Sequence, residues 1–339
     1  KQITEDCTDS DFNSKICTSR RNDVLIGLNE VHGQFLPPLF NLLSEQYSIL
    51  NEAKNTIVEM TKYLTSQGRN IHSMTQEERV MYMTQVKRRD CAGRLLTDCL
   101  STVEKFCQSM PFVWMLGGVS ECDFVLALLH FLREDVAQIQ VLAVTCLEQL
   151  AMRKLEFSQW MRLITHLPQA VSEANEVAAQ QGSFRAASEG RAMEQNALIV
   201  EQLPFHRGLS RMLAHLISAH LAHITNEKEI VNQRNTQKFQ ALATFLNLMA
   251  EMLSHPSGRI CGEQIVTWIA LLRDPAIAKC QTKLLGPYME RILNAYVTHI
   301  VRIRWDDVYE QNHPLWTLLE ASWDDNEEFE TWLMDLRSK

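Results

Sequence analysis

An all-α fold built from successive pairs of amphipathic helices is predicted by three observations. Helix-favouring Leu, Met, Ala, Gln and Glu are abundant, while glycine is sparse at 12 of 339 residues. Apolar residues recur at helical spacing, and the alternation of Val, Ile and Thr with polar residues that marks a strand is missing. Short turns containing Pro or Gly separate one periodic stretch from the next. A hydrophobic fraction of 46% is that of an ordinary folded protein, and 339 residues suffice for two domains or one elongated helical array.

Residues 1–18 form a polar, acidic leader in which Thr8, Asp9 and Ser10 are able to cap a short turn. The first helix is expected from about Asn22 to Ser44, on the stripe of Val24, Leu25, Leu28, Val31, Phe35, Leu39 and Leu42. Pro37-Pro38 is expected to kink or split it. A second helix follows from about Ser48 to Leu64. Gln67 to Thr75 reads as a polar link, and Thr75 with Glu78 three residues on is a capping-box signature that opens a long helix near Gln76. That helix runs past Phe106 to Met110-Pro111, with Gly117-Gly118 as a flexible connection. Cys122–Leu132, Val136–Met152 and Phe157–Ala179, the last kinked at Pro168, are the next three helices.

Gln180 to Arg191 is weakly apolar, contains two glycines and reads as a loop. The helical period resumes from Leu198 to Ile224, and Asn226–Asn235 is a polar linker. Phe239, Leu242, Leu246, Met249 and Leu253 mark the clearest helix. His255-Pro256-Ser257-Gly258 is a tight turn before a shorter helix lined by Ile260, Ile265, Trp268 and Leu272. Asp274-Pro275 opens another, running through Leu284, Met289, Ile292 and Tyr296 to Ile300. Paired helices joined by short turns point to a HEAT-repeat-like superhelix, a solenoid of units of roughly 40 residues, rather than a compact bundle. The expected division is the leader 1–18, helical repeats over 19–304, and an acidic inter-repeat segment over 305–339 that starts the next repeat.

Charge sets that last segment apart. Trp305 to Lys339 holds ten acidic side chains against two basic ones, a local charge of −8 equal to the formal net charge of the whole chain. Asp324, Asp325, Glu327, Glu328 and Glu330 repel one another at close spacing, a cost that a basic partner would relieve. Phe329 and Trp332 are placed to anchor the segment to the repeats or to that partner. A solvated loop with a helix resuming near Phe329 is the competing reading.

Other features point away from chemistry. Cys91, Cys99, Cys107, Cys122 and Cys146 sit in or beside apolar helical stretches and read as buried free thiols of a reducing compartment. His220 and His223 share a helix face, but His215 lies off it, and no neighbouring Cys or carboxylate completes a metal site. Trp160, Trp268 and Trp316 read as wedges between helices. No glycine-rich phosphate loop, nucleophile elbow or HExxH is present, so a non-enzymatic protein without bound cofactor or metal is expected. No stretch reaches eighteen uncharged apolar residues, which argues against membrane insertion. Opening on Lys1 and closing on Arg337-Ser338-Lys339, the chain reads as a piece of something longer.

An ordered series of motifs carries a family resemblance. Ser19-Arg20-Arg21-Asn22-Asp23-Val24 is followed by Phe35-Leu36-Pro37-Pro38-Leu39-Phe40-Asn41-Leu42-Leu43, Cys146-Leu147 and Lys154-Leu155-Glu156. Thr244-Phe245-Leu246, His255-Pro256-Ser257, Trp268 with Leu271-Leu272, Arg273-Asp274-Pro275 and the acidic run Asp324–Phe329 continue it. The chain resembles the exportin-5 type of nuclear transport receptor, of the importin-β (karyopherin) superfamily. The resemblance covers nearly the whole chain and places it in the amino-terminal half of a longer receptor.

It implies a nuclear export receptor that binds cargo cooperatively with GTP-loaded Ran, the nucleotide entering only through Ran. The cargo would be double-stranded hairpin RNA such as microRNA precursors, or protein. Nucleoporin contacts and shuttling between nucleus and cytoplasm follow from the same resemblance. The basic groups available for RNA or cargo are Lys87, Arg88, Arg89 and Arg94, Lys279 with Lys283 one helical turn on, and Arg302 with Arg304, beside Arg20-Arg21. They are scattered along a net acidic chain, so the residues themselves supply no independent argument for RNA. A HEAT scaffold or regulatory subunit that works without Ran, or another receptor of the superfamily, is the alternative.

Overall fold

A computed structural model describes residues 14–107, 123–189, 195–226, 237–278, 284–298 and 326–338. All twelve α-helices named below lie in these segments, and the chain divides into two compact units, Lys1–Leu128 and Leu129–Lys339. The fold is all-α, with the repeated pairwise helix contacts of a HEAT-like α-solenoid. No helix among the described residues is long and apolar enough to cross a membrane.

In the first unit α1 (Ser14–Ser66) and α2 (Gln76–Phe106) form an antiparallel hairpin. Leu36, Leu43, Leu50 and Leu64 recur at multiples of seven along α1, with Phe40 and Ala53 between them, and all are buried on the helix that packs against α2, whose own buried residues are Ala92, Leu96, Cys99, Leu100 and Val103. This spacing keeps one apolar seam on a helix far longer than a turn-by-turn period of 3.6 would allow. Phe35 meets Phe106 edge-on at 5.2 Å, and Phe40 stacks on Phe124 at 4.9 Å. Where two helices were expected over 22–64, α1 is a single helix that already starts at Ser14 and carries Pro37-Pro38 inside it. An interior proline costs about 3 kcal/mol. Leu36 and Phe40, both fully buried on either side of the pair, supply the packing that offsets it.

The hairpin turn is specified residue by residue. Gly68 adopts a left-handed φ of 67°. Its N–H donates to Thr65 O and that of Arg69 to Leu64 O, both at 2.9 Å, so the last carbonyls of α1 are satisfied by a Schellman motif. The expected capping box is present: Glu78 N–H donates to Thr75 Oγ1 at 3.3 Å, and Thr75 N–H to Glu78 Oε2 at 2.8 Å. Helix α2 ends at Phe106, before the expected stop at Met110-Pro111, which lies outside the described residues along with Gly117-Gly118.

Helix α3 (Phe124–Phe131) crosses the boundary between the units, and the second unit continues with α4 (Ala137–Ala151), α5 (Phe157–Glu189), α6 (Gln195–Ser218) and α7 (Leu221–Asn226). After them come α8 (Gln237–Met252), α9 (Gly258–Arg273), α10 (Pro275–Ala278), α11 (Met289–Tyr296) and α12 (Asn326–Ser338). Helices α4, α6 and α9 pack in succession, and α12 adds to that rank through contacts with α9; α5 and α8 make a second rank. Tyr288 extends the second rank by donating its hydroxyl to Ala243 O of α8 at 2.9 Å, and Arg291 of α11 reaches Asn247 at 3.1 Å. Trp160 and Trp268 are fully buried wedges, as expected; Trp160 donates its indole N–H to Leu216 O of α6 at 2.9 Å. Trp316 lies outside the described residues.

Three expected boundaries in this unit are corrected. Helix α5 runs through the stretch read as a loop and stops at Glu189, because Gln, Arg, Ala and Glu favour helix strongly enough to carry Gly182 at a cost of about 1 kcal/mol. The single helix expected over 198–224 breaks between Ser218 and Leu221. There His220 turns inward against Ala151 O at 3.3 Å. The helix expected from Asp274-Pro275 to Ile300 is interrupted by a 3-10 turn at Gly286–Tyr288, where Pro287 supplies no N–H. One cysteine expected to be buried lies on the surface. Cys99, Cys107, Cys146 and Cys261 are buried and form no disulfide, but Cys91 is exposed on the solvent side of α2. Cys122 lies outside the described residues.

Candidate partner-binding surface

The acidic segment resolves into helix from Asn326 onward. Its apolar residues Phe329, Leu333 and Leu336 stand three and four apart and are all buried, so one face is committed to packing. Trp332 lies over Gly262 of α9, and Arg259 pairs with Glu328 at 3.0 Å. Phe329 and Trp332 thus fasten the segment to the repeats, one of the two anchoring roles expected of them. Glu327 at the helix start is exposed and Glu330 is half-buried. Carboxylates in the first turn also oppose the positive end of the helix dipole, so helix formation offsets part of their mutual repulsion. Asp324 and Asp325 lie outside the described residues.

The Arg259–Glu328 pair ends a ladder of charges across the first rank. At its other end Glu148 of α4, a side chain only 10% exposed, receives Arg211 of α6 twice, at 3.1 and 3.2 Å, with His215 at 4.0 Å. Between the ends stand Arg207 of α6 and Glu263 of α9. Burial pushes the Glu263 carboxyl up, while a Ser210 hydrogen bond and the arginines Arg211, Arg259 and Arg207 pull it back. Burial and the neighbouring guanidiniums of Arg259 and Arg211 draw Arg207 below its ordinary range. Beneath the ladder, Gln264 donates to Ser210 O and Oγ at 2.8 and 2.9 Å, fixing α6 against α9. The members of this ladder come from four helices, and their separations in sequence carry no short motif; only the register of the repeats brings them together.

The expected basic groups fare differently. Lys87 and Arg94 are exposed seven residues apart on α2, hence on one helix face. Arg88 is held by Glu52 at 2.8 Å and Arg89 by its neighbour Asp90 at 2.7 Å. Lys279, Lys283, Arg302 and Arg304 lie outside the described residues.

The histidines serve packing. His220 and His223 stack at 5.5 Å, and His223 Nε2 contacts Leu155 O at 2.8 Å. Among the described residues no group of three His, Cys, Asp or Glu side chains is placed to hold a metal ion. A histidine pair that no local motif announces joins α6 to the turn after α8: His255 and His206 meet at 3.2 Å beside a cavity of about 400 Å³ lined by Val171, Gln202, Leu248 and Glu251.

Residues 200–339 match the sequence profile of the Exportin-5 family. No curated protein matches the chain. The family match corrects the wider resemblance read from the motifs, which began at Ser19 and placed the chain in the amino-terminal half of a receptor. It falls instead on the C-terminal part of this chain. The upstream motifs, such as Phe35–Leu43, are apolar helix seams that any paired-helix protein needs. The more distinctive series, Thr244 to Pro275 and the acidic run, lies inside the matched segment. Exportin-5 family proteins are transport receptors and not enzymes, so the match supports a transport-receptor role in general and agrees with the non-enzymatic reading.

Proposed function

We propose that this chain is part of a nuclear export receptor that binds cargo together with GTP-loaded Ran and shuttles between nucleus and cytoplasm through contacts with nucleoporins. The observation that carries the reading is the Exportin-5 family match over residues 200–339, the segment that holds most of α6 and all of α7 to α12. The helical ranks of the second unit present successive helix faces, which suits a carrier of large cargo. On this reading Glu327, Glu328 and Glu330, with Asp324 and Asp325 before them, face a basic surface of Ran or of a protein cargo. Lys87 and Arg94, with Arg88, Arg89, Lys279, Lys283, Arg302 and Arg304 as further basic groups, attend to hairpin RNA or other acidic cargo.

The test is the affinity of the protein for a labelled hairpin RNA and for a basic protein cargo, each with and without GTP-loaded Ran. Cargo binding that tightens with Ran supports the reading, and by linkage Ran binding must tighten with cargo by the same factor. Equal cargo affinity in both conditions would sink it. One stable stoichiometric partner taken without Ran would replace it with a scaffold role.

A further inference from the structure

The cavity of about 400 Å³ beside the histidine bridge is lined from α5, α6, α8 and the turn into α9. Its floor is apolar, formed by the buried side chains of Val171 on α5 and of Leu248 and Met252 on α8. Polar groups reach it from two helices, Gln202 and His206 from α6 and Glu251 from α8.

Hydrogen bonding fixes what the charged and ring groups present. Ser257 N–H donates to His255 Nδ1 at 3.1 Å, so the proton of the neutral His255 ring is on Nε2. That N–H meets His206 Nδ1 at 3.2 Å, which places the His206 proton on Nε2 in turn. Burial lowers His206 from 6.5 to about 4, so the ring is uncharged in neutral solution. Ser257 is the N-cap of α9, and the positive end of that helix polarises the relay towards His206. His206 Nε2–H has no acceptor among the described residues and is a donor held at the cavity. Glu251 is its counterpart: Oε1 accepts from Asn247 Nδ2 at 2.9 Å, whereas Oε2 accepts from no described residue. The cavity therefore presents a neutral donor, a charged acceptor and an apolar floor.

We propose that this cavity takes a tyrosine side chain presented by a partner protein. The ring covers Val171, Leu248 and Met252, and the hydroxyl brings a lone pair for His206 Nε2–H and a proton for Glu251 Oε2. Phenylalanine fills the floor but leaves both polar groups without the water it displaces. Asparagine serves the polar groups and leaves the floor bare. Lysine and arginine bring no acceptor for His206, and a phosphate brings negative charge to Glu251. The inference rests on reading the chain as a partner-binding receptor, and it adds a site apart from the charged surfaces.

The test is a titration of the 339-residue chain, its histidine rings isotope-labelled, with a blocked Gly-Tyr-Gly peptide. The His206 ring resonances, assigned by their loss in His206→Gln, report binding. A saturable shift is expected, with affinity about tenfold lower for Gly-Phe-Gly and for Gly-Asn-Gly. Glu251→Ala, at an exposed position that does not threaten folding, is expected to weaken the tyrosine peptide about tenfold and leave the phenylalanine peptide unchanged. Equal affinity for the tyrosine and phenylalanine peptides, or a preference between them that Glu251→Ala does not alter, would overturn the proposal. So would the lack of any saturable shift, or a shift that only hairpin RNA produces. Tyrosine binding without any Ran-dependent cargo binding defeats the export reading and leaves this site standing. Ran-dependent cargo binding without a preference for tyrosine does the reverse, so the two failures are separable.

Discussion

Trp332 of α12 lies so close over Gly262 of α9 that a Cβ at position 262 would sit 2.5 Å from Trp332 Cζ2 and 3.2 Å from Leu336 Cδ2. Glycine is required here by approach and not by φ. It lets an indole rest on helix backbone, and that contact brings Glu328 within reach of Arg259. Gly262→Ala is therefore expected to push α12 outward at a cost of about 1–3 kcal/mol. Denaturant unfolding measures the cost, and hydrogen exchange confined to 326–338 locates it. Unchanged protection of that helix would mean that the indole simply swings aside.

The same device recurs one helix earlier, where Gly208 of α6 faces Val144 of α4 and an added Cβ would collide with Val144 Cγ1. Both residues are buried, so the collision has no exit toward solvent. Gly208→Ala alone and Val144→Ala alone are each expected to destabilise, the first by overpacking and the second by leaving a void, at about 1–2 kcal/mol apiece. The double variant fills the void with the new methyl group. It is expected to cost less than the sum, with a coupling of about 1 kcal/mol in a double-mutant cycle. Strict additivity would refute the contact.

The Gly262 and Gly208 contacts join residues that no local sequence pattern connects. The helices themselves were legible because apolar spacing and caps are local: the Thr75–Glu78 box, the 239–253 stripe and the turn at His255–Gly258 lie where they were expected. Prolines misled because their penalty is local whereas the compensating burial, of Leu36 and Phe40, is tertiary. The acidic run was visible as charge, but its pairing with Arg259 was not, since 69 residues separate Arg259 from Glu328. Gln180–Glu189 failed for the opposite reason, being helix-favouring without an apolar stripe to announce it.

Glu78 closes the capping box of α2 and also receives Arg69 at 2.7 Å across the hairpin turn. The hydrogen bond from Arg69, then that from Thr75 N–H, lowers its carboxyl from 4.5 to about 2. A carboxylate depressed in the folded state stabilises fully above its unfolded value and loses that contribution as pH falls through the folded one. The turn is thus expected to hold at pH 5 and to loosen between about pH 4.5 and 2. Hydrogen exchange at 67–80 in the chain and in Glu78→Gln reads this directly. In Glu78→Gln the protection should already be low at pH 5 and insensitive to acid. A parallel acid loss in both proteins would assign the effect to other carboxylates.

The histidine bridge between α6 and the α8–α9 turn has a fixed polarity. Ser257 N–H donates to His255 Nδ1 at 3.1 Å, which leaves the His255 proton on Nε2 and directs it to Nδ1 of His206 at 3.2 Å. Both rings are therefore neutral, and a proton on Nδ1 of either ring would face another N–H. Burial lowers His206 from 6.5 to about 4. Its depressed value means that the unfolded chain takes up the proton first. Stability from this group is complete above pH 6.5, declines as pH falls, and levels off near pH 4. Allowing for the partial exposure of the ring, the decline is on the order of 2 kcal/mol. His206→Gln keeps an acceptor for His255 and cannot titrate. Glu251 lines the same cavity and Glu263 also titrates upward, so the difference between the two proteins isolates the ring. Urea unfolding at pH 7 and pH 4 should show the original chain losing more stability than His206→Gln by that amount. Equal losses would mean that His206 accepts a proton without disturbing the bridge.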